Sequence, residues 1–294
     1  MRKKALPVYD IDNFSFGGDE NDFYINKFST HLSQYKHAVF APHGHSFYVS
    51  LLFTKGSGMH EIDFNVYKVK PGIAHVLSPG QVHNWKLSDD IEGYVIFHTA
   101  DFYNLNYVNE KLENFPFFSC TQNSPVITIP HDYCGKLENF FKEISGDYHS
   151  DKLMKYQKIC SMLNVLYIEL SRLYLSPGVM VKQNHSNLRK FKKLEGLINS
   201  HYKKIKYPSD YAEMMHMSAK NLNRISKLSL NKTITELIAA RIVLEAKRML
   251  MHSTHTVSQI ADELGYYENS YFFRMFKKNT GQTPLEFLKK FRKN

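Results

Sequence analysis

The stretch APHGHSFYVS, residues 41–50, sets His43 and His45 one residue apart ahead of an apolar run, and SPGQVHNW, residues 78–85, adds His83 and Trp85. Imidazoles spaced in this way support two chemistries. Three neutral rings bind zinc or iron(II) with one coordination position left open. The same rings can hydrogen-bond a small organic ligand and change charge near neutral pH. Counting forward from the pair gives Phe47, Tyr48, Val49 and Ser50, with no acid until Glu61. Without a nearby carboxylate the organic reading is favoured. The expectation is a small-molecule pocket contacted by His43, His45, Tyr48, His83 and Trp85, with no metal ligand and no cofactor, although three histidines alone leave a metal chemically feasible.

A second set of residues lies near the C-terminus, in SAKNLNRISK (218–227) and NSYFFRMFKK (269–278). Asn and Arg carry the forked groups that pair with adenine and guanine edges, while Lys meets phosphates. With Ser218 as N-cap, the first segment puts Leu222, Ile225 and Leu228 on a buried side and Lys220, Asn221, Asn223, Arg224 and Lys227 on a polar one. In the second, Asn269, Ser270 and Arg274 are the base-reading candidates and Lys277 and Lys278 the phosphate contacts. Tyr271, Phe272 and Phe276 are expected to pack.

Such side chains read DNA only when helices present them. YPSDYAEMMHMSAKNLNRISKLSLNKT, from Tyr207, and HTVSQIADELGYYENSYFFRMFKKNTGQTP, from His255, each show a short amphipathic helix with an Ala (Ala212 or Ala261), a turn, and a second helix with a polar face. Those are the parts of a helix–turn–helix unit. A stripe through Ile234, Ile238, Ile242, Ala246, Met249 and Leu250 joins them. Another stripe, Leu188, Phe191, Leu194, Leu197 and Ile198, precedes them.

From Phe23 to His98 the pattern is strand-like, interrupted at Gly56-Ser57-Gly58, Pro71-Gly72 and Pro79-Gly80, spaced as for hairpins. From Tyr133 the period becomes helical, with Leu137, Phe140, Phe141 and Ile144 on one face. Lys152–Leu175 repeats Ile159, Leu163, Leu166, Leu170 and Leu173. Leu163, Leu166 and Leu170 are the expected dimer contacts. The fold class is therefore α+β with two domains: a β-barrel followed by helices over 1–175, a linker over 176–187, and an all-α domain with two helix–turn–helix units over 188–294.

Charge separates the same two parts. The 294 residues carry +10 overall, but residues 1–175 hold 16 Lys and Arg against 19 Asp and Glu, a net −3, and residues 176–294 hold 22 against 9, a net +13. The basic half points to an anionic polymer. Cys120, Cys134 and Cys160 lack paired spacing, which suits a reducing cytoplasm and neither a disulfide framework nor a zinc knuckle. No apolar run approaches the ~18 residues of a membrane span, and no leader follows the basic MRKKALPVYD, so a soluble cytoplasmic protein is expected.

Residues 238–292, IAARIVLEAKRMLMHSTHTVSQIADELGYYENSYFFRMFKKNTGQTPLEFLKKFR, resemble the signature region of the AraC/XylS family of bacterial transcription regulators. The resemblance rests on Arg241, Ala246 and Leu250, on Ile260, Ala261, Gly265 and Tyr266, and on Phe276, Gly281 and Pro284. It implies two reading helices in successive major-groove segments of double-stranded DNA, a homodimer, a small-molecule effector, and activation of transcription with RNA polymerase as a partner. The family's base-reading positions fall on Lys220, Asn223 and Arg224 and on Asn269, Ser270, Phe273 and Arg274, where Phe273 departs from the usual polar type. The N-terminal region resembles the cupin-type sensing domain that many members carry. Metal-binding cupins share its His-x-His pair but normally add a Glu. The expected protein is a regulator and not an enzyme; the alternative is a cupin-type metalloenzyme with an appended nucleic-acid-binding domain.

Overall fold

The computed structural model describes residues 6–14, 22–104, 106–107, 112–119, 124–174 and 185–292. Cys120 and residues 176–184 of the expected linker lie outside the described residues. Pro7–Gly178 forms one compact unit and Val179–Asn294 the body of another. No helix of the described residues is long and apolar enough to cross a membrane.

The N-terminal unit contains β1 (Val8–Tyr9), β2 (Phe23–Lys27), α1 (Phe28–Val39), β3 (Gly44–His45), β4 (Tyr48–Lys55), β5 (Gly58–Ile62), β6 (Asn65–Val69) and β7 (Ile73–Leu77). It continues with β8 (His83–Leu87), β9 (Glu92–His98), α2 (Ala100–Asn104), α3 (Pro116–Ser119), β10 (Val126–Thr128), α4 (His131–Tyr148) and α5 (Lys155–Tyr174). Five strands form one antiparallel sheet in the order β10-β7-β4-β9-β2, and three form another in the order β6-β5-β8. The short β1 runs parallel to β3.

Central strand β4 is buried on both faces, which is why its sequence is nearly continuously apolar. Phe47, Val49, Leu51 and Phe53 enter the core between the sheets, together with Phe28, Trp85 and Phe97. Tyr48 and Leu52 point the other way, into a core shared with Leu137, Phe141, Leu163 and Leu166 of the helices.

Three expectations are corrected here. The Gly56–Gly58, Pro71-Gly72 and Pro79-Gly80 turns are not hairpins: each carries the chain between the two sheets. The tight hairpin of the three-stranded sheet is at Asp63-Phe64, between β5 and β6, with φ of 46° and 72°. Two consecutive positive φ values fit the twist of a two-residue hairpin, yet Asp-Phe carries no glycine to announce it. Nor is the stretch from Phe23 to His98 all strand, because α1 intervenes, burying Phe28 and Leu32. Finally, Leu163, Leu166 and Leu170 are 0%, 0% and 1% exposed within a single chain. They pack inward with α4 and the sheet, so they cannot meet a second subunit. The outward face of α5 instead carries Val165 and Ile168, 42% and 38% exposed.

The C-terminal unit contains α6 (His185–His201), α7 (Pro208–Met214), α8 (Ala219–Leu230), α9 (Ile234–His252), α10 (Val257–Glu263), α11 (Asn269–Thr280) and α12 (Pro284–Arg292). Its helix starts are written locally. Pro208 occupies the first turn of α7, and capping boxes Thr233–Glu236 and Thr256–Gln259 open α9 and α10. Helix α9 runs through the middle, packing on α6, α8, α10, α11 and α12. Ile234, Ile238, Ile242, Ala246 and Leu250 of its stripe are buried.

Candidate nucleic-acid interface and histidine cluster

In both helix pairs, α7–α8 and α10–α11, the small Ala212 and Ala261 are buried at the crossing. Ser218 caps α8 as expected, its Oγ accepting from the Asn221 N–H at 3.2 Å. Leu222 and Ile225 are buried while Lys220, Arg224 and Lys227 are exposed on the same helix. Leu228, placed on the buried side by its spacing, is instead 57% exposed at the last turn. Arg224 Nη2 donates to Asn221 Oδ1 at 3.1 Å, which steadies the guanidinium over the start of the helix.

Asn223 is corrected. Its Oδ1 accepts the Ile234 N–H at 3.1 Å, satisfying an otherwise orphaned donor in the first turn of α9. Adenine recognition needs the amide's donor and acceptor together. The Ile234 N–H takes one lone pair of Oδ1 and fixes the amide toward the start of α9, which gives Asn223 a structural role within the fold.

On α11 the burial of Phe272 and Phe276 matches the sequence expectation, but Tyr271 is 58% exposed and does not pack. The Arg274 guanidinium sits 4.6 Å above the Tyr271 ring, a cation–π contact. Tyr267, in the turn before the helix, is fully exposed. Sequence reasoning passed over it, although an aromatic with no apolar partner at helical spacing is the available signal. Asn269 Nδ2 donates to Ser258 Oγ at 3.0 Å, tying α11 to α10. Ser270, Arg274, Lys277 and Lys278 are exposed, whereas Phe273 is half-buried against Phe272.

A residue outside the reading helices holds the second pair in place. Lys206 Nζ donates to the carbonyls of Tyr202, Lys203 (2.9 Å) and Leu264 (2.6 Å). Burial lowers its pKa to about 8. Arg241, a position of the family resemblance, is likewise structural: it pairs with Glu245 at 2.8 Å and stacks 4.1 Å over the Tyr202 ring.

In the N-terminal unit the expected ligand residues divide. His43 and His83 bond each other through their backbones, His43 N–H to His83 O at 3.1 Å and His83 N–H to His43 O at 2.9 Å. This bridge brings the His-x-His pair against β8. One ring nitrogen from each of His43, His45 and His83 then lies within 4.8 Å of the others.

Two histidines that the sequence reading missed extend the group. Their signals differ: His60 alternates with the outward Met59 and Glu61 on β5, whereas His75 interrupts the continuously buried apolar run Ile73–Leu77 of β7. Side chains run in a chain from His45 Nε2 to His83 Nε2 (2.8 Å), His83 Nδ1 to His60 Nε2 (2.8 Å), and His60 Nδ1 to His75 Nδ1 (2.7 Å). Trp85 does wall the group, stacking on His60 with ring centroids 3.4 Å apart. Tyr48 does not, because alternation turns it to the other face, where it stacks on His98.

All five histidines are 0–4% exposed. Burial pushes each pKa down, to about 3 for His75, and positive charge on neighbouring rings would add to this for His45, His60 and His83. The rings are therefore neutral at pH 7, and each retains one lone pair. His43 Nε2, His45 Nδ1 and His75 Nε2 have no hydrogen-bond partner. His98, across the sheet, is a useful contrast: Nδ1 bonds Thr99 O at 2.9 Å, and Nε2 bonds the Tyr167 hydroxyl at 2.7 Å. A separate cleft of about 300 Å³, lined by Phe53, Pro71, Ile129, His131 and Cys134 among others, includes none of the five expected ligand residues.

Comparison with known proteins covers both units. Residues 27–110 match the AraC-like ligand binding domain, and residues 211–290 match a helix-turn-helix domain. A HTH-type transcriptional activator RhaR from Mannheimia succiniciproducens is 21% identical over 256 residues, spanning 86% of this chain and 88% of the relative. The RhaR of an Enterobacter species is 20% identical over 266 residues, spanning 88% and 91%. Among solved structures, ToxT from Vibrio cholerae aligns over 91% of this chain and 98% of its own, at 14% identity and a TM-score of 0.41.

Proposed function

The chain belongs to the AraC/XylS family of transcription regulators, and from that premise we propose that it activates transcription by placing α8 and α11 in successive major-groove segments under control of an effector held in the N-terminal unit. The observation that carries this reading is the duplicated helix pair with exposed Lys220, Arg224 and Lys227 on one second helix and Ser270, Arg274, Lys277 and Lys278 on the other. Arg224 and Arg274 are the principal base readers. The lysines meet phosphates, and Asn221 and Asn269 orient their neighbours through the hydrogen bonds described above.

Activation follows the character of the RhaR relatives and makes RNA polymerase a partner. The protein acts in the cytoplasm, where the DNA is. It works as a homodimer joined through Val165 and Ile168 on α5, which replaces the inward leucines in that role. An Ile168→Arg variant that sediments as the wild type would remove this interface from consideration.

Selection of bound duplexes from a random library by the full-length protein tests the main reading. Enriched sequences should contain two elements about one helical turn apart, with affinity falling steeply with salt. Recovery of no preferred sequence would reject it.

A further inference from the structure

The five buried histidines occupy space of ionic rather than molecular size. A pocket for an organic effector encloses on the order of 300–1,000 Å³, but His45 and His83 are in direct contact at 2.8 Å. The donor atoms of His43, His45 and His83 converge within 4.8 Å. Taking the N-terminal unit as the effector domain, we propose that His43, His45 and His83 bind one divalent transition-metal ion, Zn²⁺ or an ion of similar softness, and that this ion is the effector.

The hydrogen-bond network prepares the three rings. His43 Nδ1–H donates to Ala41 O at 2.8 Å, which leaves the unpartnered Nε2 as its lone-pair atom. His83 Nδ1–H donates to His60 Nε2, and His60 Nδ1–H donates onward to His75 Nδ1. The Nε2 of His83 is thereby free to ligate, and His60 fixes its ring in the manner of an outer-sphere partner. In the free protein His45 Nε2–H donates to His83 Nε2, so binding moves that proton to the unpartnered His45 Nδ1 and exchanges the hydrogen bond for two metal–nitrogen bonds. At ~2.05 Å each and near-tetrahedral angles these set the two nitrogens about 3.3 Å apart, an opening of about half an ångström.

The donor set also selects the ion. It contains no carboxylate, so Mg²⁺ and Ca²⁺ are disfavoured, and no thiolate. Glu61, the nearest acid in sequence, points away from His60 along the strand and accepts from Asn84 at 3.1 Å.

The test uses full-length protein, stripped with a chelator and titrated with Zn²⁺ and with Co²⁺ as a spectroscopic probe. One ion per chain should bind, with Co²⁺ absorption typical of nitrogen ligation. His43→Gln and His83→Gln should each lose it, and His60→Gln should weaken it by roughly 10- to 100-fold. Thermal melts of the stripped variants establish that they are folded, and His131→Gln, on α4, should bind as the wild type. Substoichiometric binding, or binding that survives both His43→Gln and His83→Gln, overturns the site.

Affinity for the selected duplex is then measured with and without the ion. A change of fivefold or more, absent in His43→Gln, supports the effector role, and an unchanged affinity overturns it. A protein that selects no duplex under either condition would instead mark failure of the regulator reading, while the metal titration still decides the site.

Discussion

The two helix–turn–helix units have the same plan and differ in what their turns and second helices are made of. In the first, the turn is closed by His216 at φ 53°, Ser218 caps the reading helix, and Asn231 ends it in the left-handed conformation. In the second the corresponding residues are Gly265 at φ 78°, Glu268 without a side-chain cap, and Gly281. Space explains the glycine at the second turn. A Cβ on Gly265 would come 1.9 Å from the Lys203 carbonyl oxygen, which Lys206 holds in place. The lesson is that one plan tolerates an ordinary residue where the turn is exposed and demands glycine where the backbone of another segment, here the turn after α6, crosses it.

That difference is most exposed to Gly265→Ala, which combines left-handed strain with backbone overlap. It should destabilise the C-terminal unit by about 3 kcal/mol in urea melts, while His216→Gly should change stability by less than about 1 kcal/mol. Equal effects from the two substitutions would erase the distinction between the turns.

Next in size is Arg224→Ala, expected to weaken specific binding by about 1–3 kcal/mol and relax preference at one base pair. If neither affinity nor preference changed in a footprinting assay, α8 would not be a reading helix. Asn223→Ala sharpens the contrast within that helix: it should reduce stability by about 1 kcal/mol through the lost cap on α9 and leave base preference intact. Ser218→Ala should cost a similar ~1 kcal/mol in the first unit, with no counterpart at Glu268 in the second. The smallest effect belongs to Lys277→Ala. It should weaken all duplexes about equally and lower the slope of log affinity against log salt by roughly one.

Where these features were legible follows from their range. The buried stripes, Ser218, Ala212 and Ala261 are local signals, and the helix–turn–helix plan needs little else. Asn223 and Tyr271 were misjudged because a side chain's fate depends on which helix start or open face lies beside it. In the N-terminal unit, the apolar run of β4 was visible, but not which of its two buried faces held the histidines. That assigned Tyr48 to the wrong side and left His60 and His75 unnoticed. The leucines of α5 were visible as an apolar stripe, and a stripe does not say whether it covers a protomer's own sheet or a partner.

The sequence by itself determined the two-part organisation, the basic reading helices and the family, because composition, 3.6-residue periodicity and capping residues act over a few residues. Only the tertiary structure decided that five histidines from β3, β5, β7, β8 and the segment before β3 share one buried interior. Their convergence depends on strand pairings such as His43 with His83 and His60 with Trp85, and pairing between distant segments leaves no periodic mark on the chain.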